Sequence, residues 1–389
     1  MKKKIQDVIQ QEFKGLWGTD FSDDGIPVIK TNNMTYEGRI DFSDICKRNI
    51  TFEEAAHNFL QKGDLIIEKS GGTKTHSVGY VNIFEGEDNR YVCNNFILPI
   101  RPNKELVNSK YLFWQLHGMY ESGKFSDCYN KTTGIQNLQK KTYFAKEINV
   151  PSKEEQQKIA AELDTIQSAI DNKKQQLSLL DEAVKSEFVE MFGENPVESG
   201  KWKVEKIENV VDLNIATAKK SFNKDENIKY IDISSIDNSV NLVTGYAEYI
   251  LAEAPSRAQQ VVKSNDILIS TVRPNLRNIA INLFDYENMV ASSGFCVLRP
   301  KDICNPYYIF YSVLTDDFTD KMVALTTGTN YPAIHNSDIL NYKLSVPPLT
   351  LQNQFATFVQ QIDKSEFVVK QQIADLQELL DSKMQEYFG

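Results

Sequence analysis

The sequence is poor in the features that mark secreted and membrane proteins. Its five cysteines are scattered and form no Cys-x-x-Cys pair, which is typical of reduced cysteines in a cytosolic protein. No apolar run approaches 18 residues, and the lysines that follow Met1 lead into polar residues instead of an apolar segment. We therefore expect neither a membrane span nor a signal peptide, and we expect a cytoplasmic location.

Motifs for catalysis or metal binding are also missing. The four histidines, at positions 57, 76, 117 and 335, lack metal-ligand spacing, and the Gly-Gly-Thr-Lys-Thr of residues 71–75 lacks the spacing of a P-loop. Residues 305–308, Asn-Pro-Tyr-Tyr, resemble the Asn-Pro-Pro-Tyr loop of adenine methyltransferases, but the second proline is absent and no glycine-rich cofactor loop precedes them. We expect a helix to begin there, and no catalytic residue, metal or cofactor in this chain.

One long stretch occurs twice. Residues 148–193 and 344–389 match without a gap at an offset of 196, and they share Val150/Val346, Pro151/Pro347 and Gln156/Gln352. Apolar residues in both copies fall three or four apart, which predicts a long helix with a coiled-coil seam. The seam residues are Ile159, Leu163, Ile166, Leu177 and Leu180 in the first copy and Phe355, Val359, Ile362, Ile373 and Leu376 in the second. Because one apolar stripe is unstable alone, we expect the helices to pack together; the alternative is two unrelated surface helices.

The blocks that precede the two helices repeat as well. Residues 63–67 correspond to residues 265–269, Arg101-Pro102 to Arg299-Pro300, and residues 132–134 to residues 326–328. The sequence therefore predicts an α+β protein with tandem repeats and pseudo-twofold symmetry, in which two mixed α/β domains are separated by two long antiparallel coiled-coil helices. The predicted domains are residues 1–147 and 196–343, and the predicted helical segments are residues 148–195 and 344–389.

The acidic charge is concentrated on the repeated helices. The chain has a net charge of -10, and the repeated stretches of residues 148–193 and 344–389, with 15 acidic and 8 basic residues, carry -7 of it. The remaining blocks are nearly balanced, so a local basic surface on them is compatible with nucleic acid binding.

Polar and basic loops occur at corresponding places in both blocks, and they are the candidate DNA-binding residues. Arg, Asn and Gln can bond base edges, whereas Lys, Ser, Thr and glycine-rich turns can hold phosphates. Any one of these residues is more simply a solvated loop side chain, but their coincidence in both copies favours a function. In the first block they are Lys30, Thr31, Asn32, Asn33, Arg39, Lys69, Ser70, Gly71, Gly72, Thr73, Lys74, His76, Thr133 and Gln136. In the second block they are Lys219, Lys220, Ser234, Ser235, Arg257, Thr271, Arg273, Asn275, Arg277, Thr327, Thr329 and Asn330.

Several segments together resemble a known family. Residues 255–274, residues 25–33 and the helix openings at Val150 and Val346 are similar to those of the specificity (S) subunit of type I restriction-modification systems. The resemblance covers nearly the whole chain, although the first block lacks the lead-in that the second has at residues 200–204. It implies a non-catalytic subunit that binds a bipartite double-stranded DNA site, one half per target recognition domain.

The resemblance also implies partners. Two modification (methyltransferase) subunits, which would use S-adenosylmethionine, would dock on the helices, and restriction (motor-nuclease) subunits would join them. Two other readings of the sequence remain open. A stand-alone DNA methyltransferase or nuclease would modify or cut DNA when purified alone, and a structural coiled-coil adaptor would show no DNA preference even with its partners.

Overall fold

The chain forms two compact units. The computed structural model describes residues 1–73, 75–132, 135–194, 197, 200–328 and 332–389. The first unit comprises Met1–Lys174 and Lys370–Gly389, and the second comprises Gln175–Val369. Within the described residues, no helix combines the length and the apolar character that crossing a membrane would require.

Each copy of the repeated stretch forms one long helix. The first long helix is Lys153–Phe192 and the second is Leu349–Phe388, each of 40 residues. The first begins two residues after Pro151, and Glu154 and Glu155 in its first turn favour the positive end of the helix dipole. It ends at Gly193, whose φ of 91° is the left-handed conformation that often follows a helix.

The two long helices run antiparallel, as contacts inside each unit show. In the first unit, Glu162 near the start of the first helix accepts a hydrogen bond of 2.8 Å from the Tyr387 hydroxyl. The same carboxylate pairs with Lys383 at 3.1 Å. In the second unit, the rings of Phe188 and Phe355 lie 5.4 Å apart, so the end of the first helix meets the start of the second.

The predicted seam residues lie along these contacts. Both helices contribute side chains to one buried cluster in each unit, so they do not pack separately. Ile159, Leu163, Ile166, Phe355 and Val359 are at most 9% exposed. The other predicted seam residues are half-buried, namely Leu177, Leu180, Ile362, Ile373 and Leu376.

The first unit combines short strands with few helices. Besides its share of the long helices, it has the α-helices Phe52–Ala55, Ser109–Glu121 and Lys140–Ala145 and the 3-10 helices Ile5–Val8 and Thr31–Asn33. Its strands are Lys2–Lys4, Ile9–Glu12, Phe21–Ile29, Cys46–Arg48, Leu65–Glu68, Ser70–Gly71, Val81–Ile83, Val92–Cys93, Ile97–Pro102, Tyr129–Thr132, Ile135–Leu138 and Glu147–Asn149.

The second unit has the same kind of composition. Its shorter α-helices are Ile207–Val210, Ala218–Ser221, Pro306–Val313, Asp316–Ala324 and Asn336–Leu340, and its 3-10 helices are Ile233–Ser235 and Pro274–Leu276. Its strands are Lys203–Lys206, Val211–Asp212, Asn227–Ile231, Ile236–Asp237, Leu242–Val243, Ala247–Ile250, Ala258–Val261, Ile267–Ser270, Ile279–Ile281, Met289–Ser292, Phe295–Pro300 and Lys343–Val346.

The central sheet of each unit has the same order, which is the structural sign of the duplication. In the first unit the order is Ile9–Glu12, Ile97–Pro102, Leu65–Glu68 and Val81–Ile83. In the second unit the corresponding order is Val211–Asp212, Phe295–Pro300, Ile267–Ser270 and Ile279–Ile281. Two further strands extend this sheet. The register is kept too, because Leu65 pairs with Ile100 where Ile267 pairs with Leu298.

A buried glutamine joins each long helix to its domain. The side-chain oxygen of Gln156 accepts the backbone N–H of Asn108 at 2.7 Å, and that of Gln352 accepts the N–H of Asn305 at 2.8 Å. Both glutamines are at most 1% exposed. Asn108 and Asn305 in turn cap the helices Ser109–Glu121 and Pro306–Val313, so the start of each long helix is fixed to the same point of each domain.

Candidate nucleic-acid interface

A buried ion pair supports the strand that leads into each candidate loop. In the first domain, Arg101 donates from Nε to Asp64 Oδ1 at 2.8 Å and from Nη2 to Oδ2 at 2.7 Å. In the second domain, Arg299 makes the same two bonds to Asp266 at 2.9 and 2.6 Å. Both carboxylates are at most 2% exposed, so each loop starts from a rigid base.

The loop of the second domain has an unusual backbone. Strand Ile267–Ser270 ends in residues 271–278, where Arg273 and Arg277 have φ values of 52° and 51° on either side of the 3-10 helix Pro274–Leu276. The left-handed conformation costs an arginine on the order of 1–3 kcal/mol and is concentrated at functional sites. A hydrogen bond of 2.7 Å from the Arg273 N–H to the carbonyl oxygen of Pro332 helps to hold it.

A cavity of about 490 Å³ opens beside this loop. Arg257 and Arg273, which are 16 positions apart in sequence, both line it. Exposed apolar side chains also line it: Ile233 is 49% exposed, Val272 39% and Leu276 50%. Arginine can read guanine edges and apolar groups can contact the thymine methyl, so the surface has the chemistry of direct base readout.

The other candidates of the second domain divide into exposed and engaged side chains. Lys219 and Lys220 on the helix Ala218–Ser221 are exposed, as is Asn275. Four candidates make internal contacts: Ser234 and Ser235 hydrogen-bond the Asp232 carboxylate, the Thr271 hydroxyl donates to the Gly294 carbonyl, and Thr327 pairs with Ala333. Arg277 forms an ion pair with Asp316 and does not line the cavity. Thr329 and Asn330 lie outside the described residues.

The corresponding loop of the first domain is held by Glu68 and Gln136. Glu68, at the end of strand Leu65–Glu68, accepts the Gly72 N–H at 3.3 Å, and burial raises the pKa of its carboxyl. Gln136 accepts the Val78 N–H at 3.1 Å and donates to the Thr73 carbonyl at 3.3 Å. Gln136 is 9% exposed and fixes the position of the loop through these bonds, and its contact with DNA stays a prediction.

The exposed part of this loop carries an aromatic pair. His76 stacks on Tyr36, with ring centroids 3.6 Å apart and an interplanar angle of 17°. Tyr36 is 42% exposed and was not predicted, because it is distant in sequence from the loop and only the fold brings it there. Ser70 donates to Asn137 at 2.8 Å, and Gly71 pairs with Gln136 in the adjoining strand. Lys69 is half-buried, and Lys74 and Thr133 lie outside the described residues.

The segment from Lys30 to Arg39 makes mostly internal contacts. Asn33 is 3% exposed, and both ends of its amide are bonded, to the Lys30 N–H and the Asp44 carbonyl. Arg39 pairs with Glu85 at 2.8 Å and reaches Asp171 at 4.0 Å. These contacts hold the Asn33 amide and the Arg39 guanidinium in place, and both residues stay predicted DNA contacts. Lys30 is 3.6 Å from Asp44, Thr31 is half-buried and Asn32 is exposed.

The family model described as the type I restriction modification DNA specificity domain matches residues 1–182 and again residues 199–378. The chain belongs to this family. The match covers both repeats, and with it the predicted family, fold class and DNA specificity function are confirmed.

Relatives agree with the specificity-subunit assignment. The MjaVIII specificity subunit of Methanocaldococcus jannaschii is 25% identical over 296 residues, which are 70% of this chain and 67% of that one. The MjaIX specificity subunit of the same organism is 23% identical over 410 residues, 98% of this chain and 90% of that one. An S subunit structure from M. genitalium has a TM-score of 0.59 at 14% identity, covering 100% of this chain and 96% of that one, and so shares the fold.

As a specificity subunit, the chain is the non-catalytic, DNA-recognising component of a type I restriction-modification system. The readings as a stand-alone methyltransferase or nuclease and as a structural adaptor are therefore not favoured. Among the residues that the structure describes, no group of three His, Cys, Asp or Glu side chains is placed to hold a metal ion.

Proposed function

We propose that each of the two domains reads one half of a bipartite DNA site, and that the DNA between the halves is not read. The observation that supports this most is the shared scaffold beneath two different loops. The Asp–Arg pair and the strand register recur in both domains, but one strand leads into a glycine-rich loop and the other into an arginine-rich loop. A duplicated frame with divergent loops suits two different short target sequences.

In the second domain, we assign base contacts to Arg257 and Arg273. Both line the cavity of about 490 Å³, whose exposed apolar side chains are available to contact a base. Loss of one bidentate arginine–guanine contact costs about 1–3 kcal/mol, or roughly 5- to 150-fold in discrimination at that base pair. The contacts at the other half-site come from a separate domain and are not expected to change.

The experiment is to map methylated sites for Arg257→Ala and Arg273→Ala proteins assembled with their modification subunits. We expect one half of the methylated sequence to become degenerate while the other half is unchanged. Arg90→Ala, which removes an exposed arginine paired with Glu87 in the first domain, is the control and is expected to leave both halves unchanged. Equal loss of specificity at both halves in the Arg257 and Arg273 variants would refute this assignment.

For the partners, we propose that two methyltransferase subunits dock on the long helices and that restriction subunits join this assembly in the cytoplasm. S-adenosylmethionine would be bound by the methyltransferase subunits and not by this chain. The long helices expose large apolar side chains, which mark interaction surfaces. Phe367 is 72% and Val368 52% exposed on the second long helix, and Leu179 is 55% exposed on the first.

Docking on the helices predicts that Phe367→Glu weakens assembly. A buried, unpaired carboxylate at an interface is unfavourable, so a loss of at least tenfold in affinity for the modification subunit is expected. Analytical ultracentrifugation of the mixed subunits would measure it, with Glu366→Gln on the same helix as the control. An unchanged affinity in the Phe367 variant would exclude this face from the contact.

A further inference from the structure

Four lysines surround a cavity of about 430 Å³ in the first unit. The cavity lies where the turn at Gly63 meets the starts of the helix Ser109–Glu121 and the first long helix. Glu85 is the one carboxylate among the residues that line it. The lysines are Lys62, Lys104, Lys110 and Lys153.

Two of these lysines are engaged and two are not. Lys110 pairs with Glu85 at 3.2 Å and with Asp164, and the Lys153 ammonium donates to the Lys104 carbonyl. Glu85 is shared further, because Arg39 also pairs with it at 2.8 Å. Lys62 and Lys104 are exposed, and in the described part of the chain neither side chain forms an ion pair, although Asp88 accepts the Lys62 backbone N–H. The cavity therefore has a surplus of positive charge.

The second domain shows that the fold does not require these lysines. Four duplicated features align the second copy with the first. They are the turns at Gly63 and Asn265, the Arg101-Pro102 and Arg299-Pro300 pairs, the two asparagine caps and the first residues of the long helices. In the order of the four lysines, the corresponding residues are Ser264, Asp302, Tyr307 and Leu349. The four corresponding positions of the second copy therefore do not repeat the lysine cluster of the first copy.

We propose that this cavity binds a phosphate-bearing anion, with Lys62 and Lys104 as the main ligands. Four lysines and one glutamate line the cavity, and the two lysines without an ion pair match a group with several negative charges, since lysine binds phosphate as a point charge. No aromatic ring lines the cavity, so it holds the phosphates and not a stacked base.

The site is distinct from the recognition loop of the same domain. Lys62 and Gly63 precede strand Leu65–Glu68, whereas the loop of residues 69–76 follows its other end. A strand of four residues separates the two by roughly 13 Å. The phosphate can come from a free nucleotide or from the backbone of bound DNA; only the second source rests on the proposed function.

The test is isothermal titration of the full-length chain with inorganic triphosphate at low salt. We expect one equivalent to bind per chain, despite the duplicated fold. Lys62→Ser with Lys104→Asp places the second copy's residues in the first copy, and it is expected to weaken binding at least tenfold. The control, Lys14→Ser with Lys141→Asp, changes the charge equally at two other exposed positions of the same domain, and less than a twofold effect is expected. Unchanged melting temperatures would show that both variants fold.

Competition then identifies the source of the phosphate. Displacement of triphosphate by a nucleoside triphosphate but not by duplex DNA assigns the site to a nucleotide. If duplex DNA of unrelated sequence displaces triphosphate, and if DNA binding by the Lys62/Lys104 variant depends less on salt, the site is assigned to the DNA backbone. Either result supports the phosphate site whether or not each domain reads a half-site. The proposal would be overturned if triphosphate did not bind, if two equivalents bound per chain, or if the control variant lost as much affinity as the Lys62/Lys104 variant. Equally tight binding of a glutamate-rich peptide would also overturn it.

Discussion

Phe355→Ala tests whether the two long helices are held together where the second unit places them. The Phe355 side chain is fully buried, and its ring lies 5.4 Å from Phe188, 5.6 Å from Phe192 and 5.2 Å from Tyr311. Truncation removes contacts with the other long helix and with the domain at once. Replacement of a buried phenylalanine by alanine costs about 3–5 kcal/mol, so the free energy of unfolding should fall by that amount.

A phenylalanine-to-alanine substitution at an exposed position of the same helix, Phe367, supplies the control. Phe367 is 72% exposed, and Phe367→Ala is expected to change the free energy of unfolding by less than about 0.5 kcal/mol. Urea unfolding followed by circular dichroism measures both variants, and the change is expected in the transition of the unit Gln175–Val369, to which both residues belong. A loss below about 1 kcal/mol for Phe355→Ala, or equal losses for the two variants, would refute the packing of the helices described above.

Two further predictions concern the residues that hold the recognition loops in place. Arg299→Leu leaves the Asp266 carboxylate, which is 1% exposed, without its guanidinium; a loss of about 3–5 kcal/mol is expected in urea unfolding at pH 7, and a loss below 1 kcal/mol would contradict it. Glu68→Gln keeps an acceptor for the Gly72 N–H and removes a carboxyl whose pKa burial raises. A raised pKa contributes stability that is present below the usual Glu pKa and is lost as the pH rises through the folded pKa. The variant should therefore be more stable than the parent at neutral pH, with the difference vanishing toward pH 4; a less stable variant at neutral pH would exclude this explanation.

The regular parts of the fold could be predicted because spacing alone determines them. The apolar residues every three or four positions predicted the long helices, and Lys153–Phe192 and Leu349–Phe388 lie within the predicted segments. The sequence also favours a helix from about Ser109 to Tyr120, and the structure has one at Ser109–Glu121. A shared order of motifs likewise indicated two copies of one domain, and the sheets have the same strand order.

Local predictions were less accurate where tertiary contacts decide the backbone. From Phe52 to about Leu60 the sequence itself favours an acidic helix, whereas the structure has only Phe52–Ala55, and the Leu60 N–H bonds the Tyr91 carbonyl instead of continuing the helix. From Tyr91 to Ile100 the sequence favours a single strand, whereas the structure has two, Val92–Cys93 and Ile97–Pro102, with the Asn94 side chain accepting the Phe96 N–H at the break.

The candidate interface was harder to predict than the fold. A polar loop residue gives no sign in the sequence of whether its side chain points to solvent or into the domain, and Asn33 and Gln136 are buried. Tyr36 could not be found, because its partner His76 comes from another segment. Arg257 and Arg273 were predicted separately, and only the fold places them on one cavity.

The most direct measurement is the methylated sequence itself, obtained by sequencing the modified bases of DNA in cells that express this chain with its modification subunits. Two domains with a shared scaffold and different loops predict two different short sequences separated by a fixed number of unread base pairs. A single uninterrupted methylated sequence would contradict the assignment of one half-site to each domain.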